Sequence, residues 1–167
     1  MDDVTARFKD ELFNSPNEIR IMDQLAEWNR QHLDARFASA QLYNPKSKRL
    51  RVVAQREFAP ALIGQFHDMP LTSGTMCARA ARLRTPILVP DVTADSDWTP
   101  FLSFSEAAGF GGVLSIPLLS KAGHLIGVTS SHFSGHAKPT DREMDFARVS
   151  CDFASDAILE LRRRQQQ

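Results

Sequence analysis

Two cysteines are the strongest candidates for chemistry in this sequence of 167 residues. Cys77 falls in the first turn of a helix predicted to begin at Met76, where the helix dipole can lower the pKa of a thiol. Cys151 lies within the apolar face of the last predicted helix, where a cysteine is usually a small buried hydrophobe. Two cysteines cannot form a four-thiolate metal site and are too few for a disulfide framework. We therefore expect reduced thiols.

Other polar residues give weaker signals. His124 and His132 fall on a predicted strand and His136 in a loop, and their spacing matches no metal-ligand motif, so we predict no metal site. Asp91 follows a short predicted strand, where a carboxylate more often caps a turn than acts in catalysis. Ser115 lies on a predicted strand, and Thr129 and Ser131 share one face of the next strand. Small polar residues in such positions are typical of a binding cavity and also of a solvent-exposed surface.

An acidic and aromatic segment extends from residue 85 to residue 120 and contains no Lys or Arg. Its acids are Asp91, Asp95, Asp97 and Glu106, and its large aromatic residues are Trp98, Phe101, Phe104 and Phe110. Such a surface favours a flat, neutral or cationic ligand and repels an anion, unless an arginine of the preceding helix turns inward. The N-terminus of that helix can still accept a phosphate, which leaves nucleotides open.

Composition limits the class of protein. Lys and Arg total 20 and Asp and Glu total 20, so the formal net charge is zero and bulk nucleic-acid binding is disfavoured. The longest uncharged run, residues 107–120, is shorter than the roughly 20 apolar residues of a membrane-spanning helix. The start of the chain is acidic, unlike a secretory signal. We expect one cytoplasmic domain without a membrane span.

Periodicity and capping signals predict an α+β fold with a mainly antiparallel sheet. Helices are predicted from the capping box 15–18, over 61–66 and 76–83, from Thr99 to Gly109, and from the capping box 140–143 onward. Strands are predicted as a hairpin around the turn 44–47, as a short strand over 87–89, and as a hairpin of 113–119 with 124–133.

Several motifs, in this order and spacing, resemble the GAF domains that accompany PAS and histidine kinase domains in bacterial sensors. They are Gly74-Thr75-Met76-Cys77, Pro90-Asp91-Val92, Ser115-Ile116-Pro117-Leu118, Gly123 to Val128 with Ser131-His132-Phe133, and Pro139 to Glu143. Ala78 departs from the glycine that many of those domains carry there. On this resemblance residues 1–15 are an N-terminal extension, 16–161 the sensory domain and 162–167 a tail.

The resemblance implies a central antiparallel sheet with terminal helices on one face and short helices roofing a ligand pocket on the other. The candidate ligand contacts are Cys77, Asp91, Trp98, Phe101, Phe104, Ser115, Thr129 and Ser131. The implied function is to bind an unidentified small molecule and signal to a partner such as a histidine kinase. The alternative is a dimerisation scaffold whose vestigial pocket is filled by Phe101, Phe104 and Trp98.

Some GAF domains are free methionine-(R)-sulfoxide reductases, which need a second nucleophilic cysteine before the fourth long strand. The corresponding segment, residues 93–112, contains none, so we expect no enzyme. The cysteine–histidine pair typical of bilin-binding relatives is also absent, as is the residue set associated with cyclic-nucleotide recognition.

The last helix carries two apolar stripes. A heptad seam consists of Met144, Ala147, Cys151, Ala154, Ile158 and Leu161, and a second stripe of Phe146, Val149, Phe153 and Ala157. One small sheet cannot bury both, so we expect a homodimer in which one stripe meets the partner. The competing interpretation places the helix deep between the sheet and the first helix. Arg162, Arg163 and Arg164 complement the helix dipole.

Overall fold

Two β-hairpins pair side by side and build the centre of the fold. In the computed structural model, which describes residues 1–167, six antiparallel strands form one sheet in the order β3-β2-β1-β6-β5-β4. The strands are β1 (Phe37–Asn44), β2 (Arg49–Arg56), β3 (Asp68–Pro70), β4 (Ile87–Val89), β5 (Gly112–Leu119) and β6 (Leu125–Phe133). The predicted α+β class with an antiparallel sheet is confirmed. The short edge strand β3 was not predicted.

Six α-helices surround the sheet. They are α1 (Asp3–Phe13), α2 (Glu18–His32), α3 (Pro60–Ile63), α4 (Met76–Leu83), α5 (Leu102–Ala108) and α6 (Asp141–Gln165). Short 3₁₀ turns at Gly64–Phe66, Val92–Ala94 and Ser96–Phe101 complete the connections. None of the helices combines the length and the apolar character that crossing a membrane requires.

Local capping explains where the helices begin and end. Thr140 and Glu143 form the predicted capping box of α6, since each side chain accepts a hydrogen bond from the other's backbone N–H, at 3.1 and 2.9 Å. Gly109, at φ 93°, ends α5 in the left-handed conformation as predicted. The cap of α2 is Asn17, whose Oδ1 accepts from the backbone N–H of Arg20 at 2.8 Å, and not the predicted Ser15.

The terminal helices α1, α2 and α6 cover one face of the sheet. Alternate residues of the central strands, such as Ala38 on β1 and Leu114 on β5, point into this layer and are buried against the helices. The predicted heptad seam of α6, including Cys151 and Ile158, packs there. The indole Nε1 of Trp28 on α2 donates to the Ser150 hydroxyl on α6 at 2.9 Å and joins the two long helices.

The segment 1–15, predicted to be an extension, contains α1 (Asp3–Phe13), which packs on α6. Phe8 of α1 stacks on Trp28 with ring centroids 4.1 Å apart, and the Lys9 ammonium lies 5.1 Å from the ring centroid of Phe153. Much of the second apolar stripe of α6 is therefore covered within the chain, and Val149, 42% exposed, is what remains open. The need for a partner helix is smaller than the sequence indicated.

Close packing explains the glycines at positions 127 and 74. Neither residue has a positive φ, so backbone conformation does not require glycine there. A Cβ on Gly74 would lie 2.9 Å from the carbonyl oxygen of Asp97. On Gly127 it would lie 2.3 Å from the carbonyl oxygen of Gln41 on the neighbouring strand β1. The rigid backbone of β1 therefore leaves no room for a side chain at position 127.

We predict that Gly127→Ala lowers the free energy of unfolding by about 2–4 kcal/mol, because the new methyl group forces the β1 and β6 backbones apart. Urea unfolding measures the change. Gly135→Ala is the matched control, since its Cβ would meet nothing within 4 Å, and should change stability by less than about 0.5 kcal/mol. Equal effects of the two substitutions would contradict this account of Gly127.

Candidate functional site

A cavity of about 40 Å³ lies between the sheet and a set of short segments that we call the roof. The roof comprises residues 58–66 and 92–108 together with α4. Strands β1, β5 and β6 supply the floor, and Met69 of β3 lies at one side. The predicted arrangement, with terminal helices on one face of the sheet and short helices on the other, is confirmed.

Three serines cross the floor of the cavity in one row, which we call the serine row. Ser130 on β6 lies directly opposite Ser39 on β1 and Ser115 on β5, and all three side chains are buried. Directly opposite residues of antiparallel strands have Cβ atoms about 5 Å apart on the same face. The hydroxyls of Ser115 and Ser130 are hydrogen-bonded at 2.6 Å.

Gln41 continues the polar floor along β1, two residues beyond Ser39 on the same face. Its side chain is only 3% exposed, and its Oε1 atom is buried without a hydrogen-bond partner. Native proteins rarely leave a buried acceptor unpaired, because the lost hydrogen bonds to water are not replaced. This amide is an unsatisfied polar group at the cavity.

His132 forms the other end of the floor, two residues beyond Ser130 on β6. Its ring packs edge-on against Phe58 and Phe110, with centroids 4.9 and 4.8 Å away, and its Nδ1 atom is buried without a partner. Burial disfavours the charged imidazolium and lowers the pKa of His132 from 6.5 to about 3. The side chain is therefore neutral at physiological pH.

The roof above the floor is aromatic. Phe104 of α5 lies 4.3 Å from Phe66 and 5.7 Å from Phe110 between ring centroids, and Trp98 packs 6.0 Å from Phe110. The indole Nε1 of Trp98 donates to the Ser105 hydroxyl at 3.1 Å, so its polar atom is satisfied within the roof. The cavity thus has a polar floor and an apolar ceiling.

Cys77 lies at the edge of the cavity in a cluster of sulfur and hydroxyl groups. Its Sγ is 3.4 Å from Sδ of Met69 and 3.3 Å from Oγ1 of Thr75, the N-cap residue of α4. Burial raises the pKa of the Cys77 thiol, an effect larger than the opposing hydrogen bond from Thr75. The lowered pKa expected from the helix dipole is therefore wrong, because desolvation of the thiolate dominates.

The structure brings half of the predicted contacts together. Cys77, Trp98, Phe104 and Ser115 line the cavity. Phe101 packs behind them, 5.0 Å from Trp98 between ring centroids, and does not reach the cavity wall.

Thr129 and Ser131, predicted as contacts, lie on the opposite face of the sheet. They alternate with Ser130 along β6, so when Ser130 faces the cavity they face the helix layer. There Thr129 donates from its hydroxyl to the carbonyl oxygen of Ser39 at 3.3 Å. These two residues are buried, but their side chains do not contribute to the floor.

Asp91 is a capping residue at the surface. Its Oδ1 accepts hydrogen bonds from the backbone N–H and the hydroxyl of Thr93, at 3.0 and 2.7 Å, and these bonds lower the pKa of the carboxyl group. His136 Nε2 lies 3.5 Å from its other oxygen. The turn-capping interpretation agrees with this geometry, and Asp91 does not line the cavity.

The acidic residues of the segment 85–120 also lie outside the cavity. Asp95 forms a two-point ion pair with Arg79 of α4, and Nη1 of Arg79 lies 3.7 Å from Oδ2 of Asp97. The acids on which the expected repulsion of anions rests do not line the cavity, and the charge of Asp95 is paired with that of Arg79. The ion pair instead joins α4 to the rest of the roof.

Several residues of the cavity were missed by the sequence analysis. The most informative are Ser39, Gln41, Ser130 and His132. A signal for the first two was present, since they alternate with Ala38 and Ala40 along β1, but this pattern also fits a strand with one face in solvent. No local pattern identified Ser130, because it lies among three consecutive small polar residues.

The family model of the GAF domain matches residues 16–159. The chain therefore belongs to the GAF domain family, whose members are commonly sensory or regulatory. A search of curated protein sequences finds no match.

Solved structures of the same fold come from several bacteria. The GAF domain of a phosphoenolpyruvate-protein phosphotransferase from Coxiella burnetii has a TM-score of 0.80 at 14% identity, covering 98% of this chain and 95% of that one. A free methionine-R-sulfoxide reductase from Neisseria meningitidis, solved with its substrate, gives 0.76 at 14% identity, with 97% and 90% covered. A domain assigned to a two-component sensor histidine kinase of Sinorhizobium meliloti gives 0.74 at 18% identity, with 92% and 100% covered. At these identities the likeness concerns the fold.

We predict that His132 makes the fold sensitive to acid. Between pH 6.5 and about 3 the unfolded chain protonates this histidine and the folded chain does not, so the free energy of unfolding falls as the pH falls. In His132→Phe the decline over this window should be shallower, by up to about 1.4 kcal/mol per pH unit for one proton. Denaturant unfolding at pH 7, 6, 5 and 4 measures it.

The control is His124→Phe, at an exposed position in the turn between β5 and β6, which should keep the wild-type decline. If His132→Phe and wild type lose stability in parallel between pH 6 and 4, His132 is not a neutral buried histidine.

Proposed function

We propose that this chain is a sensory GAF domain that binds a small uncharged molecule in the cavity and passes a conformational change to a signalling partner, such as a histidine kinase. The observation that carries the proposal is a pair of buried polar atoms, Gln41 Oε1 and His132 Nδ1, left without partners under an aromatic roof. Polar atoms that the protein leaves unpaired at a cavity are available to hydrogen-bond a bound molecule.

The charge of the wall favours an uncharged ligand. None of the residues that line the cavity is a Lys, Arg, Asp or Glu, and the lowered pKa of His132 keeps that side chain neutral. Burying an ion without a partner costs several kcal/mol. We therefore expect the cavity to exclude cations as well as anions. Of the neutral and cationic ligands that the sequence allowed, only the neutral ones remain.

The cavity is too small for a ring-sized ligand unless the roof moves. An engineered protein cavity that binds benzene measures about 150 Å³, and this one measures about 40 Å³. A ring-sized ligand must therefore displace part of the roof. The ion pair of Arg79 with Asp95 and the contact of Gly74 with Asp97 join the roof segment to α4, so we expect these parts to move together.

The sheet provides the route from the cavity to the terminal helices. Strands β1, β5 and β6 carry the serine row on one face and pack against α2 and α6 with the other face. A ligand that changes the spacing of these strands shifts the population of helix arrangements, as expected when one state binds the ligand better. The Trp28–Ser150 hydrogen bond makes α2 and α6 respond as a pair.

A dimerisation scaffold with a vestigial pocket is the alternative, and the filling of the roof favours it. Phe58 and Phe104 of the roof and Phe110 beside it contact one another with ring centroids 5.7–6.1 Å apart, and the cavity measures only about 40 Å³. The homodimer itself stays a prediction. Val4 on α1, Ile19 on α2 and Val149 on α6 are apolar side chains of the terminal helices that are left exposed. Light scattering at tens of micromolar measures the mass.

We predict that neutral heterocycles raise the melting temperature of the chain and that cyclic AMP and cyclic GMP do not bind in calorimetric titration. The reason is the absence of a counter-charge for the phosphate. Trp98→Ala should remove the response to heterocycles, because it removes a wall of the cavity. Micromolar nucleotide binding that Trp98→Ala leaves unchanged would contradict the proposal. A native mass spectrum without a bound molecule, together with no thermal response, would favour the scaffold.

We also propose that the domain has no chemistry of its own, and predict no turnover of free methionine sulfoxide with a thiol reductant. Cys77 lies at the cavity and Cys151 is buried in the helix layer on the other side of the sheet, so no second thiol is near enough to resolve a sulfenic acid. A coupled assay with Cys77→Ser and Cys151→Ser checks this. Sustained turnover that only Cys77→Ser abolishes would refute it.

A further inference from the structure

We propose that the cavity recognises an uncharged amide edge, meaning a C=O group beside an N–H group, as in a primary amide, a lactam or a cyclic urea. This inference rests on the proposed function and adds the chemical class of the ligand. The hydrogen-bond donors and acceptors of the floor require complementary groups on the ligand.

The first half of the match is an acceptor. Gln41 lines the cavity, and its Oε1 atom is buried and receives no hydrogen bond from the protein. A carbonyl oxygen can only accept, so the complementary group on the ligand is an N–H or O–H donor.

The second half is a donor. Each serine hydroxyl has one hydrogen to donate, and the bond between Ser115 and Ser130 uses only one of their two hydrogens. The other hydrogen is free for a ligand acceptor, and the hydroxyl of Ser39 lies beside it in the serine row. The floor therefore offers donors and an unpaired acceptor within one patch.

The donor and the acceptor are close enough together for one small ligand to reach both. Ser39 and Gln41 are two residues apart on one face of β1, which places their Cα atoms about 7 Å apart. Both residues line the same small cavity, so the N–H and C=O groups of one amide can contact both of them.

The residues around the floor carry no charge and therefore exclude charged analogues of an amide. A carboxylate has two acceptors, brings no donor for Gln41 Oε1, and would be buried with no Lys or Arg beside it. An ammonium group would be buried with no Asp or Glu beside it. The rings of Phe58, Phe66 and Phe104 above the floor cover the flat apolar face of an amide.

Two isosteric pairs of probes test the inference by NMR titration of the full ¹⁵N-labelled chain. Acetamide and acetate differ in charge and in the N–H donor, and 2-pyrrolidinone and cyclopentanone differ in the N–H group. We expect the two amides to bind in the millimolar range and to shift the side-chain amide signals of Gln41. Each partner compound should bind about fivefold more weakly or worse, the effect of one hydrogen bond.

Three variants locate the contacts. Gln41→Leu should weaken 2-pyrrolidinone binding about fivefold or more and raise the melting temperature of the ligand-free chain, because it removes an unpaired buried acceptor. Ser130→Ala should weaken binding, since it removes a hydroxyl of the serine row. Ser131→Ala is the matched control, the same change one residue further on the opposite face of β6, and should leave binding unchanged.

The outcomes separate this inference from the function on which it rests. If acetate or cyclopentanone binds as well as its amide partner, or Gln41→Leu leaves lactam binding unchanged, the amide class is wrong and a ligand-binding cavity still stands. If none of the four probes shifts a cavity signal, the amide class is also wrong. Native mass spectrometry of freshly purified chain then decides separately whether the cavity binds any molecule.

Discussion

The pairing of β6 with β1 on one side and β5 on the other is the constraint on which the cavity depends. Side chains alternate along each strand, so the register decides which of them reach the floor. The observed register aligns Ser130 with Ser39 and Ser115. A slip of β6 by one residue would bring Ser131 to the cavity and remove the apolar Phe133 of the same strand from the helix layer. The apolar side chains must face α2 and α6, so the serines that alternate with them must face the cavity.

Much of the framework could be predicted because its signals are local. The capping box at Thr140, the left-handed Gly109 and the turn chemistry of the two hairpins each depend on a few adjacent residues. The bounds of α4 and β4 match the prediction for the same reason. Helix α1 was missed although Phe8 and Leu12, one turn apart, form part of an apolar face.

The cavity was harder to predict, because its floor depends on which face of β6 is turned inward. Thr129, Ser130 and Ser131 are all small and polar, so hydrophobic alternation gives no answer there, and the wrong pair was assigned to the cavity. The unpaired state of Gln41 cannot be read from sequence either, since it requires knowing every neighbour. Counting charges along a segment likewise failed to show that Asp95 turns toward Arg79.

At Gly127 the backbone of β1 and the helix layer come close together. The space that a side chain would occupy is bounded by the carbonyl oxygen of Gln41 on one side and the terminal methyl of Met22, from α2, on the other. Gln41, whose side chain lines the cavity, is thus separated from the helix layer by little more than its own peptide group. A displacement of β1 at this point meets the side chain of Met22 directly, because position 127 has no side chain of its own.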